Sequence, residues 1–271
     1  MVNATPDLTR LRPVSRQRRL STLRTVSALM LREMTTTYGR SPGGYLWAIL
    51  EPVLGIVIIA AAFSFFLRAP PLGTNFQLFY ATGLLPLMVF NKISTSVATA
   101  LRYSQNLLTY PRVTMMDALL ARFILNTLTQ ILVGYIVLLG IILYFDITIA
   151  LDAPRLLLAL TMVISLAAGI GLLNCFLFGV FPIWRSVWKI IQRPLLLVSG
   201  VLLLYDQTPE PWRSWLWYNP IVHLVGEMRA AFYPRYTADY VSPAYVFGVA
   251  LVSGVIGLLF LWRYHRDILE R

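Results

Sequence analysis

Apolar side chains along this chain fall in long blocks. Helix-length runs extend from about Leu46 to Leu67, Phe76 to Leu101, Ala118 to Phe145, Leu156 to Phe181, Val187 to Tyr205 and Ala244 to Trp262. At a rise of about 1.5 Å per residue, about 20 such residues cross a hydrocarbon core about 30 Å thick, so the pattern predicts a transmembrane helix for each run, six in all. A membrane β-barrel would instead show segments of about 10 residues alternating apolar and polar, and no such alternation runs through the sequence. The fifth run departs from the others. Its continuous apolar part is only Leu195 to Tyr205, and a full span takes Lys189, Gln192, Arg193 and Pro194 into its first turns, with the long side chains snorkelling to the interface.

Ahead of the first run, Leu20, Leu23, Val26, Met30 and Met34 recur at spacings of three and four, with Arg24, Arg32 and Glu33 among the polar positions. This predicts an amphipathic interface helix, either a plain membrane-surface anchor or one that also touches a cytoplasmic partner. Gly39-Arg40-Ser41-Pro42-Gly43-Gly44 then forbids a smooth continuation into the span, so the chain turns. The expected organisation is an N-terminal region over 1–45, a transmembrane domain over 46–262 and a short tail over 263–271. The fold class is all-α membrane protein. Within the domain, segment 102–117 carries Leu107, Leu108, Met115 and Met116, which a plain loop does not need. A short helix docked on a partner explains them, and so does a hairpin tucked against the bilayer. Segment 206–243 is aromatic and has a helical stretch after Pro220 too short to cross. Re-entrant helices before the last span fit it, since non-helical backbone at membrane depth must be covered by protein or line a wet cavity.

Composition agrees with the pattern. Charged residues make up 13% of the chain, apolar residues 58%, and the mean hydropathy is +0.68, whereas a soluble domain carries about 25% charged residues. Charge also sets the orientation. Of the 23 Lys and Arg, seventeen fall on the side holding both termini and the second and fourth loops, and five on the other, so the positive-inside rule places both termini in the cytoplasm. The net charge of +11 is thus topological, and a nucleic-acid partner is not needed to explain it. The early arginines precede no apolar core before Leu46, so no cleaved signal peptide is expected. Cys175 lies inside an apolar run and reads as a packing residue, and no His and Cys cluster accompanies His223. No phosphate-binding G-x-x-x-x-G-K-[ST] loop occurs, nor any set of residues for catalysis.

The remaining polar residues are candidates for function. Tyr45 and Trp47 suit an aromatic belt, with Glu51 a turn deeper, where a carboxylate must face a wet cavity or pair with a cation. Asn91, Thr95, Thr99 and Arg102 fall near one face of the second span, with Lys92 beside them. Arg122, Asn126 and Gln130 recur every four residues in the third. Such stripes face the bundle interior, as helix-to-helix hydrogen bonds or as the wall of a hydrophilic path whose cations favour an anionic cargo. Trp212, Trp215, Trp217 and Tyr218 suit either the apolar faces of sugar rings or headgroups.

These residues resemble a known family, the permease subunits of ATP-driven, ABC-type bacterial exporters of capsular polysaccharide, O-antigen and teichoic acid. The resemblance runs from about Thr25 to Arg266. It rests on Leu31-Arg32-Glu33-Met34, Tyr38-Gly39-Arg40, Gly44-Tyr45-Leu46-Trp47-Ala48-Ile49-Leu50-Glu51-Pro52, Tyr110-Pro111-Arg112 and Trp217-Tyr218-Asn219-Pro220-Ile221-Val222-His223-Leu224. The capsule exporters of Gram-negative bacteria are the most similar branch. The resemblance implies two copies forming a channel in the inner membrane, driven by two copies of a separate ATPase that binds ATP and Mg, so no cofactor is expected in this chain. It implies a lipid-anchored acidic polysaccharide as cargo and periplasmic and outer-membrane export partners. It places Arg40, Tyr45, Trp47 and Glu51 at a cytoplasmic gate, and the ATPase-coupling segment around Asn106, Tyr110, Pro111, Arg112 and Asp117. One departure is that Pro42-Gly43 stands where the family often has a further basic residue. Readings from other classes are an ion-coupled secondary transporter, for which no internal repeat is apparent, and a membrane-bound glycosyl- or lipid-modifying enzyme.

Overall fold

The computed structural model describes residues 21–37, 44–108 and 113–269, and among them every regular element is helical. In chain order these are α1 (Ser21–Thr37), α2 (Gly44–Phe66), α3 (Phe76–Ala98), α4 (Ala100–Tyr103), α5 (Gln105–Leu108), α6 (Met115–Tyr144), α7 (Ala153–Val180), α8 (Trp184–Val198), a 3-10 turn (Tyr205–Gln207), α9 (Trp212–Trp217), α10 (Pro220–Phe232) and α11 (Pro243–Leu269). Local chemistry sets the starts. Asn75 accepts a hydrogen bond from the Leu78 N–H at α3, Asp152 caps α7 before Pro154, and Asn219 caps α10 before Pro220. At α6, Thr114 and Asp117 form a reciprocal capping box.

Four helices, α2, α6, α7 and α11, are long and apolar enough to cross a membrane. The 23 residues of α3 match them in length. Asn91, Lys92, Ser94, Thr95 and Ser96 make it more polar, and it is the most deeply enclosed of the long helices, packing against α2, α6, α7 and α10. The fifth predicted span differs most from expectation. Here α8 has 15 residues, about 22 Å, and the chain bends after Ser199, with Gly200 at φ +70°. Gly200 divides what the apolar pattern joins. Beyond the predicted end at Trp262, α11 continues as helix to Leu269.

The main core lies where α7 meets α3 and α11. Small residues let these helices approach: a Cβ built on Gly169 would lie 2.2 Å from the Ala250 carbonyl oxygen, and one on Gly257 2.5 Å from the Leu173 nitrogen. Aromatic stacking of Phe176 on Phe260, 4.8 Å between centroids, continues the seam. Helix α2 is held differently. It buries mainly Pro52, Ile56 and Ala60, one residue per turn, and leaves Leu54, Val57 and Ile58 exposed. At the chain start, α1 lies on α6, burying Val26 and Glu33 while Leu23 and Leu31 stay exposed.

Candidate functional site

Where α2, α3 and α6 diverge, they enclose a cavity of about 360 Å³ that receives Trp47, Glu51, Lys92, Asn126 and Gln130. Lys92 Nζ donates to Glu51 Oε2 at 2.6 Å, and both side chains remain about half exposed. Of the two environments a carboxylate at position 51 can tolerate, a cation partner and a wet cavity, Glu51 has both. Asn126 donates to the Arg122 carbonyl one turn back, and Gln130 is buried on the cavity wall. Lys92 of α3 and Asn126 and Gln130 of α6 therefore converge with Trp47 and Glu51. Arg40 and the side chain of Tyr45 lie outside the described residues.

On the adjoining face of α3, Asn91 accepts a hydrogen bond from the Gln192 amide of α8 at 3.2 Å, and Thr95 lies 3.5 Å from the same nitrogen. Gln192 belongs to a stripe with Arg185, Lys189 and Arg193 at helical spacing. Arg122 is engaged elsewhere. Its Nε donates to Glu33 Oε1 at 2.9 Å with both side chains largely buried, its Nη1 donates to Thr99, and its guanidinium stacks over Tyr103 at 4.3 Å. Thr36 hydrogen-bonds the Tyr103 hydroxyl. This cluster ties α1 to α4 and α6.

The segment joining α3 to α6 is two short helices, α4 and α5, with Asn106 exposed on the second. Tyr110, Pro111 and Arg112 lie outside the described residues. Asp117 is buried, and its Oδ2 accepts from the Thr114 N–H and hydroxyl in the capping box. Beyond α8, the aromatics divide. Trp212, Trp215 and Tyr218 are exposed, whereas the Trp217 indole donates to the Tyr240 carbonyl. His223 is fully buried: the Ser242 N–H donates to its Nδ1, so Nε2 carries the proton and donates to the Trp217 carbonyl at 2.9 Å. One neutral tautomer thereby joins α9, α10 and the start of α11. Nearby, Tyr236 donates to Asp206 at 3.0 Å; burial raises the phenols of Tyr236 and Tyr240, the latter to about 12, and both stay protonated donors.

Three participants are not among the residues singled out from the sequence. Lys92 reads there only as a cation beside the stripe of the second span, because a partner 41 positions away leaves no local signal. Gln192 does leave one, since Arg185, Lys189, Gln192 and Arg193 are spaced as one helix face. Arg229 counts there only toward loop charge. In the structure it is 1% exposed and donates to the Gly200 and Val201 carbonyls at 2.6 and 2.8 Å, over the Phe79 ring. Those carbonyls lie at the bend after α8, and Arg229 supplies the donors that a continuing helix would have given them.

Among the described residues no group of His, Cys, Asp and Glu is arranged to hold a metal. Comparison with known proteins adds the rest. The polysialic acid transport protein KpsM of Escherichia coli is 35% identical over 238 residues, covering 86% of this chain and 91% of that protein. The capsule polysaccharide export inner-membrane proteins CtrC of Neisseria meningitidis serogroup A and BexB of Haemophilus influenzae are 25% and 26% identical, each covering 90% of this chain and 92% of theirs. A sequence profile of ABC-2 type transporters matches residues 24–233, so that this helical, membrane-embedded chain belongs to the ABC-2 type transporter family.

Proposed function

We propose that this chain is the channel-forming permease subunit of an ATP-driven exporter, moving a lipid-anchored acidic capsular polysaccharide across the bacterial inner membrane. One observation carries the reading: the ion-lined cavity of Glu51 and Lys92 sits inside a chain similar, along nearly its whole length, to permeases named for capsule polysaccharide export. The cavity suits a hydrated charged polymer better than an apolar substrate. Exposed cations on α8 suit an acidic one.

In this reading the chain crosses the bilayer six times, through α2, α3, α6, α7, α8 with the bend that follows it, and α11, with both termini cytoplasmic. Arg40, Tyr45, Trp47 and Glu51 form the cytoplasmic gate, and Asn91, Thr95, Asn126 and Gln130 line the path with Arg122 bracing its inner end. Two copies pair through exposed apolar faces such as that of α2. ATP and Mg are bound by two separate ATPase subunits, docked around Asn106 to Asp117. Re-entrant α9 and α10 carry Trp212, Trp215, Trp217 and Tyr218 to the periplasmic mouth, next to periplasmic and outer-membrane export proteins.

The test is export in a strain whose own copy of the gene is deleted, scored by surface glycan at matched membrane levels of the permease. Glu51→Lys and Lys92→Glu should each reduce export severely, and the double exchange should recover much of it. Normal export from both single variants would refute a path through this cavity.

A further inference from the structure

A second cavity, of about 290 Å³, lies apart from the Glu51 and Lys92 site, where the ends of α3 and α7 meet α4, α5, the start of α8 and the end of α11. Arg102, Arg185 and Gln105 supply its polar wall, and Leu101, Phe178 and Ile268 its apolar one. The ion pairs of the described residues engage Lys92, Arg122, Arg155 and Arg213, so neither Arg102 nor Arg185 has a carboxylate partner among those residues. Arg185 lies over the Phe178 ring at 5.6 Å, and its Nε is buried without an acceptor.

Neighbouring groups repeat the deficit. Asn174, 2% exposed and next to Cys175 of the cavity wall, accepts from the Trp184 indole yet leaves its own Nδ2 unpartnered. One turn along α8, the buried Trp188 indole nitrogen also lacks an acceptor. All three orphans are donors, and the one on the cavity wall belongs to Arg185, so the group this cavity takes is an acceptor, and two arginines make it an anionic one. An apolar wall beside the cations selects an amphiphile over a small soluble ion. At the end of membrane-crossing helices, the abundant anionic amphiphile is a phospholipid.

We propose that this cavity binds the phosphate of an anionic phospholipid, with Arg102 and Arg185 clamping the phosphate oxygens and the acyl chains leaving along the apolar wall. Occupancy joins α4 and α5 to α8, so the lipid steadies the segment proposed to meet the ATPase. The inference needs only the membrane embedding of the chain and is independent of the cargo.

The full-length protein is tested in nanodiscs by native mass spectrometry after partial delipidation, with phosphatidylglycerol and phosphatidylcholine offered in equal amounts. The wild type should retain phosphatidylglycerol preferentially, and Arg102→Gln and Arg185→Gln should each weaken retention about tenfold. Arg263→Gln, whose guanidinium stacks on Tyr264 outside this cavity, should not. Displacement by millimolar inorganic phosphate would assign the site to free phosphate, whereas insensitivity to it identifies the lipid as ligand. Two results overturn the proposal: equal retention of both lipids by the wild type, or unaltered retention in both variants while they remain monodisperse. Loss of a co-purifying protein from the variants, with lipid retention unchanged, overturns it equally and assigns the arginines to that partner.

Discussion

Arg122 shows how a cation within a helical stripe acquires its meaning from a distant carboxylate. Its register with Asn126 and Gln130 is plain in the sequence, yet Glu33 lies 89 positions away, and only the packing of α1 on α6 brings them together. Both side chains are largely buried, so removing one leaves the other as an uncompensated charge, a loss of about 3 kcal/mol. Arg122→Met is expected to cost about that much in thermal unfolding monitored in detergent, and the pair Arg122→Met with Glu33→Leu less than about 1 kcal/mol. Equal losses from the single and the double replacement would show that the ion pair contributes nothing specific. Glu51 and Lys92 differ in kind. Their pair is about half exposed to a cavity, so it is screened, contributes little to stability, and is free to serve the proposed path.

Between helices, contact rests on small residues more than on propensity. Gly169 of α7 faces the backbone of α11 so closely that a methyl group there must displace the Ala250 carbonyl, whereas a Cβ on Gly140 of α6 meets nothing within 4 Å. Gly169→Ala is therefore predicted to lower stability by about 2 kcal/mol, and Gly140→Ala to leave it unchanged or raise it by up to about 1 kcal/mol. Thermal unfolding of the two variants side by side checks the contrast. The long apolar helices were legible because hydrophobic runs have a length scale that the bilayer imposes; α2, α6, α7 and α11 start within a few residues of the predicted limits. Two things were not. The bend after Ser199 depends on Gly200 and on a buried arginine 29 positions beyond it, neither of which interrupts an apolar run. Enclosure of α3 was equally hidden, because its polar residues read as a stripe and gave no sign of which helices surround it. Of the site, Trp47 and Glu51 on one side and the Asn126 and Gln130 stripe on the other were each readable, while their meeting with Lys92 is a tertiary fact.

For the whole molecule, the proposed arrangement in the membrane rests on charge and hydrophobicity together, and every proposed role follows from it. The cavity of Glu51 and Lys92, the exposed α4 and α5 segment and the aromatic α9 and α10 segment have their assigned sides only if the chain crosses an even number of times between its ends and leaves its arginine-rich surfaces inward. The decisive crossings are α8 with the following bend and α11, since these two separate the aromatic region from the second cavity. Reporter fusions measure this directly, with alkaline phosphatase, active outside the cytoplasm, and a fluorescent protein that matures inside it, each placed after Thr237 and after Arg271 in separate strains. The account predicts phosphatase activity at Thr237 and fluorescence at Arg271. The same compartment at both positions, or the two signals exchanged, would contradict the six-pass arrangement and, with it, the path and docking surface built upon it.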